Sequence, residues 1–266
     1  MLRYSPIPPP SLLLPRLHPH RSLHVSRPLH WKLRDEYKLT RPELIDRITR
    51  LLVLQRPNAL NKLCFEFSDE LLDGVLRNLK LNPKASLGFF KLALKQQKYR
   101  PNIKSYCKIV HILSRGRMFG ETREYLNELV CLRKTNGSVS VVWDELVRVY
   151  GEFSFSPTVF DMILKVYAEK GMTKNALYVF DNMGKCGRVP SLRSCNSLLS
   201  NLVKNGECRT ACQVYDQMIR VGFVPDVFTI SIMVNAYCKD GRVGRAVEFV
   251  KELENSCFRT KCSDLP

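Results

Sequence analysis

Cysteine and histidine are the residue types in this chain that could bind a metal ion or act as nucleophile and base. The sequence has ten cysteines and five histidines. No CxxC pair occurs, and the closest cysteine pairs, Cys208 with Cys212 and Cys257 with Cys262, lack a second pair or a nearby histidine. Several cysteines fall within helical patterns, where a thiol serves as a small apolar group. We therefore predict reduced structural thiols, no metal site and no cofactor.

Motifs for catalysis are also absent from the local sequence. The segment "MGKCG", Met183 to Gly187, lacks the glycine spacing and the Ser or Thr of a phosphate-binding loop, so we interpret it as a helix end. His111 is the one histidine outside the first 34 residues, and its apolar helical context favours a core or surface position over a ligand role. No deaminase pattern, Ser-His-Asp set or carboxylate cluster is recognisable. The sequence favours a binding module over an enzyme.

The charge balance favours a polyanionic partner. The formal net charge is +17, from 42 basic and 25 acidic residues. Six of the basic residues and none of the acidic ones lie in the first 34 positions, so 36 basic residues remain against 25 acidic ones. An excess of this kind suggests nucleic acid, although a generally basic organellar protein would show it too. No apolar run approaches the roughly 18 to 20 residues that span a bilayer, and we expect no membrane insertion.

The first 34 residues differ in composition from the rest of the chain. They are rich in Pro, Arg, Leu and His and contain no acidic residue. This composition is typical of an organellar transit peptide, and the early Arg3 favours a mitochondrion over a chloroplast. A disordered basic tail of another kind is the alternative. The prolines argue against one continuous amphipathic helix, so no cleavage point is predicted.

An internal repeat of 35 residues organises the second half of the chain. Three segments align without a gap, and the residues that recur are Gly171, Gly206 and Gly241, then Ala176, Ala211 and Ala246, then Met183, Met218 and Leu253. A glycine at such a position can end a helix in the left-handed conformation, and a small alanine lets two helices approach closely. Between the breaks, apolar residues recur with helical spacing. Each unit is therefore predicted to be a helix–turn–helix hairpin.

This register overrides a local β preference. Residues 227–234, "VFTISIMV", alternate β-branched or aromatic residues with polar ones, a pattern typical of a half-buried strand. The repeat places them instead in the first helix of a hairpin. Because hairpins of this kind bury their apolar faces by stacking, the predicted fold class is all-α, an α-solenoid of stacked helix-turn-helix hairpins.

Residues 157–256 resemble the pentatricopeptide repeat family. The resemblance rests on the period and on "NSLL" (196–199), "VYDQM" (214–218), "GFVPD" (222–226) and "YCKDGR" (237–242). The tetratricopeptide family has a period of 34 and a Trp and Gly-Tyr signature that is absent here.

The resemblance divides the chain into segments. We predict capping helices, degenerate repeats, an irregular segment that is either an extra helix or an imperfect repeat, two complete repeats, an incomplete last repeat and a tail. Their ranges are 35–81, 82–129, 130–156, 157–191, 192–226, 227–261 and 262–266. The last repeat lacks a Gly-x-x-Pro-Asp exit, and we expect the chain to be a shortened product of a longer gene or to have its end covered by another protein.

The resemblance also implies a role for particular side chains. In this family each hairpin contacts one base of single-stranded RNA, and the residue at the fifth place of the first helix acts with the last residue of the repeat. In the best-matched unit these residues are Asn196 and Asp226, a combination that implies uridine, and Arg193 takes the place that contacts or sandwiches the base. An amide offers both a donor and an acceptor to a pyrimidine edge, and a carboxylate can orient it. Alternatively, Asn196 is an ordinary exposed residue and Asp226 caps the next helix.

The neighbouring units give less definite candidates. The preceding unit offers Thr158, Asp161 and Ser191, and Asp161 would have to accept from an exocyclic amine, because a carboxylate otherwise disfavours RNA. In the last unit Phe228 could stack on a base beside Ser231, but Lys261 takes the terminal place. The degenerate unit offers Lys104 and Cys107, which imply no particular base.

The resemblance therefore implies an organellar RNA-binding protein that supports transcript processing, stability, splicing or translation. Its partners would be single-stranded organellar RNA and RNA-processing proteins. The alternatives are a helical scaffold for proteins in an organellar ribonucleoprotein, and a non-functional truncated product.

Overall fold

Helices account for all the regular structure in the residues that the computed structural model describes, which are 39–132, 140–155, 157–185 and 187–263. They are α1 (Arg41–Val53), α2 (Pro57–Asn61), α3 (Asp69–Asn78), α4 (Pro83–Leu94), α5 (Ile103–Arg115), α6 (Phe119–Leu132), α7 (Ser140–Phe153), α8 (Thr158–Glu169), α9 (Thr173–Lys185), α10 (Leu192–Lys204), α11 (Cys208–Arg220), α12 (Val227–Lys239) and α13 (Val243–Ser263). The predicted all-α class is confirmed. The predicted targeting segment, residues 1–34, lies outside the described residues.

The repeated glycines end the first helices of the hairpins. Gly206 follows α10 with φ of +79°, in the left-handed region that a Cβ atom disfavours. Its backbone N–H donates to the Val203 carbonyl at 3.3 Å, and the N–H of Glu207 donates to the Leu202 carbonyl at 2.8 Å. This is the Schellman arrangement, which satisfies the last carbonyls of a helix. Gly171 and Gly241 make the equivalent pairs of bonds, so the turn recurs with the repeat.

The β-like stretch at residues 227–234 lies inside helix α12. Asp226 precedes the helix as its N-cap, and its Oδ1 accepts from the Thr229 N–H at 2.8 Å. Thr229, Met233, Ala236 and Tyr237 are buried at three- and four-residue spacing. The helix prediction for this stretch is therefore correct, because burial of this face against the neighbouring helices outweighs local β preference.

Stacked hairpins form the second half of the chain. Helices α8, α10 and α12 lie side by side, and α9, α11 and α13 pack against them in turn. Ala176, Ala211 and Ala246 are buried in these contacts. The small side chain allows the helix axes to approach closely, as the sequence predicts. This arrangement leaves one side of α8, α10 and α12 free to form a surface.

Helix α7 interrupts the regular stacking. It packs on α5, whereas α6 packs on α8. His111 of α5 is fully buried beneath it, and its Nε2 donates to the carbonyl oxygen of Leu146 over 3.1 Å. On the same helix, Lys108 is also fully buried and forms ion pairs with Asp73 of α3 at 2.6 Å and Glu152 of α7 at 2.9 Å. Helix α5 is thus enclosed by neighbours on every side.

Helices α1 to α4 precede this region and share its core. Their buried residues include Leu71, Leu72, Phe89 and Phe90, and the Phe90 ring meets Tyr106 of α5 edge-on at 5.1 Å between centroids. Within the described ranges, no helix combines the length and the apolar character required to cross a bilayer.

The seven cysteines whose side chains the structure describes are free thiols. Cys107, Cys195 and Cys208 are buried in helices, and Cys212 is half-buried. Cys64, Cys131 and Cys238 are exposed, so the interpretation as small core residues applies to only part of the set.

Candidate nucleic-acid interface

An open groove of about 610 Å³ runs over α10 between α8 and α12. Its lining includes Arg193, Asn196, Asp226 and Phe228, four of the residues that the sequence singles out. Ser197, Ser200 and Lys204 also line it, and sequence reasoning did not select them. Their presence in the groove follows from helical geometry, since residues three, four or seven positions apart lie on the same face of a helix.

Asn196 and Asp226 are in direct contact. The Asn196 Nδ2 donates to Asp226 Oδ1 over 3.1 Å, although the two residues are 30 positions apart. Asp226 Oδ1 also lies 2.8 Å from the hydroxyl of Thr229, and that hydroxyl lies 2.8 Å from Asn196 Oδ1. Because the hydroxyl has one proton, it donates to one of these oxygens at a time. Sequence reasoning did not select Thr229 as a member of this candidate site, and its only signal is its position three residues after an N-cap.

These bonds fix the orientation of the Asn196 amide. A carboxylate accepts only, so the amide nitrogen must face Asp226 and the amide oxygen must face Thr229. One N–H and one lone pair of Asn196 then remain for a ligand in the groove. Uracil presents a carbonyl acceptor beside an N–H donor, which is the complementary pair. The arrangement can therefore bind a uracil edge through two hydrogen bonds.

The two interpretations of Asp226 are compatible with each other. It is the N-cap of α12 and the partner of Asn196. The hydrogen bonds from the Thr229 backbone N–H and hydroxyl, with a smaller contribution from Asn196, hold the pKa of the Asp226 carboxyl below its ordinary value. Asp226 is therefore ionised at neutral pH and can act only as an acceptor.

Asp161 and Ser191 of the preceding unit are also in contact. Here the residue on the first helix is the acceptor and the last residue of the repeat is the donor. Asp161 Oδ1 accepts from the Ser191 N–H at 2.7 Å, and Asp161 Oδ2 accepts from the Ser191 hydroxyl at 2.8 Å. Here the carboxylate occupies the place that Asn196 has in the next unit. Asp161 offers acceptors only, which suits an exocyclic amine and disfavours a carbonyl edge.

A second depression, of about 440 Å³, continues the groove over α8. Thr158, Asp161, Lys165 and Arg193 line it, and Phe119 and Arg123 of α6 form its far side. Arg193 borders both depressions, so its guanidinium lies between the two candidate base positions. Planar guanidinium groups stack on bases and offset phosphate charge.

The other candidates differ in accessibility. Phe228 is 74% exposed and Ser231 is also exposed, so both are open to a ligand. Cys107 is fully buried and Lys104 forms an ion pair with Asp73 at 3.3 Å, so the degenerate unit presents no open pair. The side chain of Lys261 lies outside the described part of the chain.

Positive charge in the groove is available for phosphates. Among the residues that the structure describes, Arg193 and Lys204 have no carboxylate within 4.0 Å. Lys165, by contrast, lies 3.9 Å from Glu169. Free cations beside a row of polar side chains are the arrangement expected for a single-stranded polyanion.

Comparison with known proteins gives three matches to models of one family. Residues 190–239 match the PPR repeat family, residues 228–258 match the PPR repeat, and residues 152–205 match the pentatricopeptide repeat domain. These ranges include the groove over α8, α10 and α12.

Individual relatives agree with these matches. A putative pentatricopeptide repeat-containing protein of Arabidopsis thaliana is 62% identical over 257 residues, which are 96% of this chain and 28% of that protein. Another from A. thaliana, whose name includes "mitochondrial", is 28% identical over 150 residues, 55% of this chain and 28% of its own length. The chain thus spans less than a third of either relative.

Solved structures also match part of this chain. The crystal structure of PPR10 from maize is 17% identical, with a TM-score of 0.39 over 82% of this chain and 29% of that one. Since the family matches cover the repeats that form the groove, the chain belongs to the pentatricopeptide repeat family.

Proposed function

We propose that the chain binds single-stranded RNA along α8, α10 and α12 and that Asn196 with Asp226 selects a uridine. The observation that carries this proposal is the 3.1 Å hydrogen bond from Asn196 to Asp226, which fixes the amide so that one donor and one acceptor face the groove. Hairpin repeats of this family read one base each through two or three side chains.

Neighbouring side chains supply the contacts that do not depend on sequence. Arg193 and Lys204 would bind phosphates, and the exposed Phe228 ring would stack on a base. Asp161 with Ser191 would select a base with an exocyclic amine at the next position. Thr158 and Ser231 would contact the strand beside them.

The proposed setting is an organelle, where the chain would support transcript processing, stability, splicing or translation. The acid-free composition of residues 1–34 supports a mitochondrion, and a chloroplast is the alternative. The relative named as mitochondrial agrees with this proposal. RNA-processing proteins are proposed as partners.

Asn196→Ala is expected to lower the affinity for oligo(U) about tenfold, because an amide that pairs with a base edge contributes roughly 1–3 kcal/mol of discrimination. The affinity for oligo(C) and oligo(A) should change by less than about twofold. Fluorescence anisotropy with labelled oligonucleotides at moderate salt measures both. Ser200→Ala is the matched control, since Ser200 lines the same groove one turn further along α10.

Equal losses for all three oligonucleotides would show that Asn196 does not select the base. Absence of RNA binding by the unchanged chain would refute the proposed function. That result would favour the alternative of a helical scaffold for proteins.

Asp226→Asn is expected to reduce the preference for oligo(U) over oligo(C) about fivefold while overall affinity is retained. An amide at this position can donate to Asn196 Oδ1, so the Asn196 amide is no longer held in one orientation. The new residue can still cap α12. Competition between the two oligonucleotides measures the ratio, and a ratio unchanged from the parent chain would contradict the role given to Asp226.

A further inference from the structure

Helix α5 carries a face equivalent to the groove-lining face of α10. Both helices follow an N-cap residue, Asn102 for α5 and Ser191 for α10, so positions can be counted from the cap. At two, five, six and nine residues beyond the cap, α10 has Arg193, Asn196, Ser197 and Ser200. At the same positions α5 has Lys104, Cys107, Lys108 and His111. We call this set the α5 face.

The α5 face is closed, whereas its counterpart on α10 is open. Cys107, Lys108 and His111 each have 0% of their surface exposed. Asn196, Ser197 and Ser200 are only half-buried and Arg193 is exposed. Apolar character does not explain the difference, because two of the three buried side chains of the α5 face, Lys108 and His111, are of basic types. Neighbouring helices must therefore cover them.

Helices α3 and α7 meet over the α5 face. Lys108 lies between Asp73 of α3, at 2.6 Å, and Glu152 of α7, at 2.9 Å. Arg77 of α3 reaches Glu152 directly at 3.1 Å, so the two helices are joined above Lys108. One turn further along, His111 is held against the Leu146 carbonyl of α7.

The charges at this position are also unfavourable for RNA. Lys108 is neutralised by two carboxylates, and Lys104 shares Asp73 with it. Asp144 and Glu145 line the shallow surface beside the start of α5. The lysines of the α5 face are therefore paired, whereas Arg193 and Lys204 have no carboxylate of the described residues within 4.0 Å in the groove, which Asp226 and Glu169 also line.

The N-terminal border of the groove is formed by α6 and not by α5. On its N-terminal side, the depression over α8 is bordered by Phe119 and Arg123 of α6. In a regular array the first helix of the preceding hairpin, α5, would form this border. Here α6 forms it, while α7 covers the α5 face. The open surface therefore continues from α8 to the start of α6 and does not reach the α5 face.

We propose that α7 closes the α5 face to RNA, so that a bound single strand lies over α8, α10 and α12, beside the start of α6, and does not continue onto α5. This inference rests on the proposed function. It assigns a role to α7, which belongs to no hairpin: this helix prevents RNA from contacting α5. With one base per open hairpin, the described chain would contact about three bases.

The test uses the unaltered chain and two measurements. In the first, oligo(U) with 4-thiouridine at successive positions is crosslinked by ultraviolet light and the attached peptides are identified by mass spectrometry. We expect crosslinks to α8, α10 and α12 and none to α5. In the second, maleimide labelling of Cys107 is followed by peptide without RNA. We expect it to be about 100-fold slower than labelling of the exposed Cys238, because a local opening must come first.

The outcomes separate this inference from the proposed function. Crosslinks to α5 in addition to α10 would overturn the closure and leave RNA binding intact. Labelling of Cys107 as fast as Cys238 would overturn the closure whether or not RNA binds. Absence of crosslinks to all of these helices would overturn the proposed function and this inference with it.

Discussion

Lys108→Met is expected to lower the free energy of unfolding by about 3 kcal/mol, since removing one partner of a buried ion pair leaves an uncompensated charge. The Lys108 side chain is fully buried between Asp73 and Glu152. Without it the two carboxylates face each other across α5, with Arg77 as the nearest remaining cation. Urea denaturation of the parent chain and the variant at pH 7 measures the difference.

Lys104→Met provides the matched control. Lys104 also pairs with Asp73, at 3.3 Å, but 38% of its side chain is exposed. Exposed pairs contribute roughly 0–1 kcal/mol, so this variant should lose less than about 1 kcal/mol. Similar losses for the two variants would mean that burial of Lys108 does not decide the effect.

The pKa values of the two carboxyls agree with this role. Burial raises the pKa of Asp73 and Glu152, but the adjacent Lys108 ammonium, assisted by Arg77, outweighs burial and leaves both pKa values below their ordinary range. Their contribution to stability is therefore present above pH of about 4 and is lost as pH falls through the lowered pKa values.

The second large effect is a loss of stability in mild acid caused by His111. Burial, partly offset by the bond to the Leu146 carbonyl, lowers the pKa of His111 to about 4. The unfolded chain, with a histidine pKa of about 6.5, binds the proton more readily than the folded chain. The free energy of unfolding should therefore fall by about 2 kcal/mol between pH 7.5 and pH 5.

His111→Gln is the variant that isolates this effect. A glutamine can keep a donor near the Leu146 carbonyl but does not titrate. Unfolding curves at several pH values should show a smaller slope between pH 7.5 and pH 5 for the variant. The other four histidines are common to both chains and cancel in the comparison. Identical slopes would show that His111 is not held neutral by burial.

The hairpin architecture could be predicted from the sequence because its signals are local and periodic. Gly206 and its counterparts in the other repeats each follow a helix with a positive φ. Ala211 and its counterparts are buried where two helices pack closely. The pairing of Asn196 with Asp226 across 30 residues was, by contrast, implied by the resemblance to the family and not by the period alone.

The third member of that site could not be predicted in the same way. Thr229 is a common helix residue, and its hydroxyl contacts Asn196 only because α12 packs beside α10. Likewise, Asp161 and Ser191 were expected in one site. Only the structure shows that Ser191 donates a hydrogen bond to each oxygen of the Asp161 carboxylate.

By itself, the sequence determined that the chain forms helical hairpins with a period of 35 residues, and its resemblance to the family singled out some of the side chains on their common face. Only the tertiary structure decided which hairpins leave that face open. Lys104 and Cys107 hold the same positions on α5 as Arg193 and Asn196 hold on α10, yet Cys107 is fully buried and the other pair lines a groove. The physical reason is that exposure depends on what packs above a helix. Helices α3 and α7 are joined above α5 through residues 73–77 and 146–152. No local sequence pattern predicts that these two segments lie together.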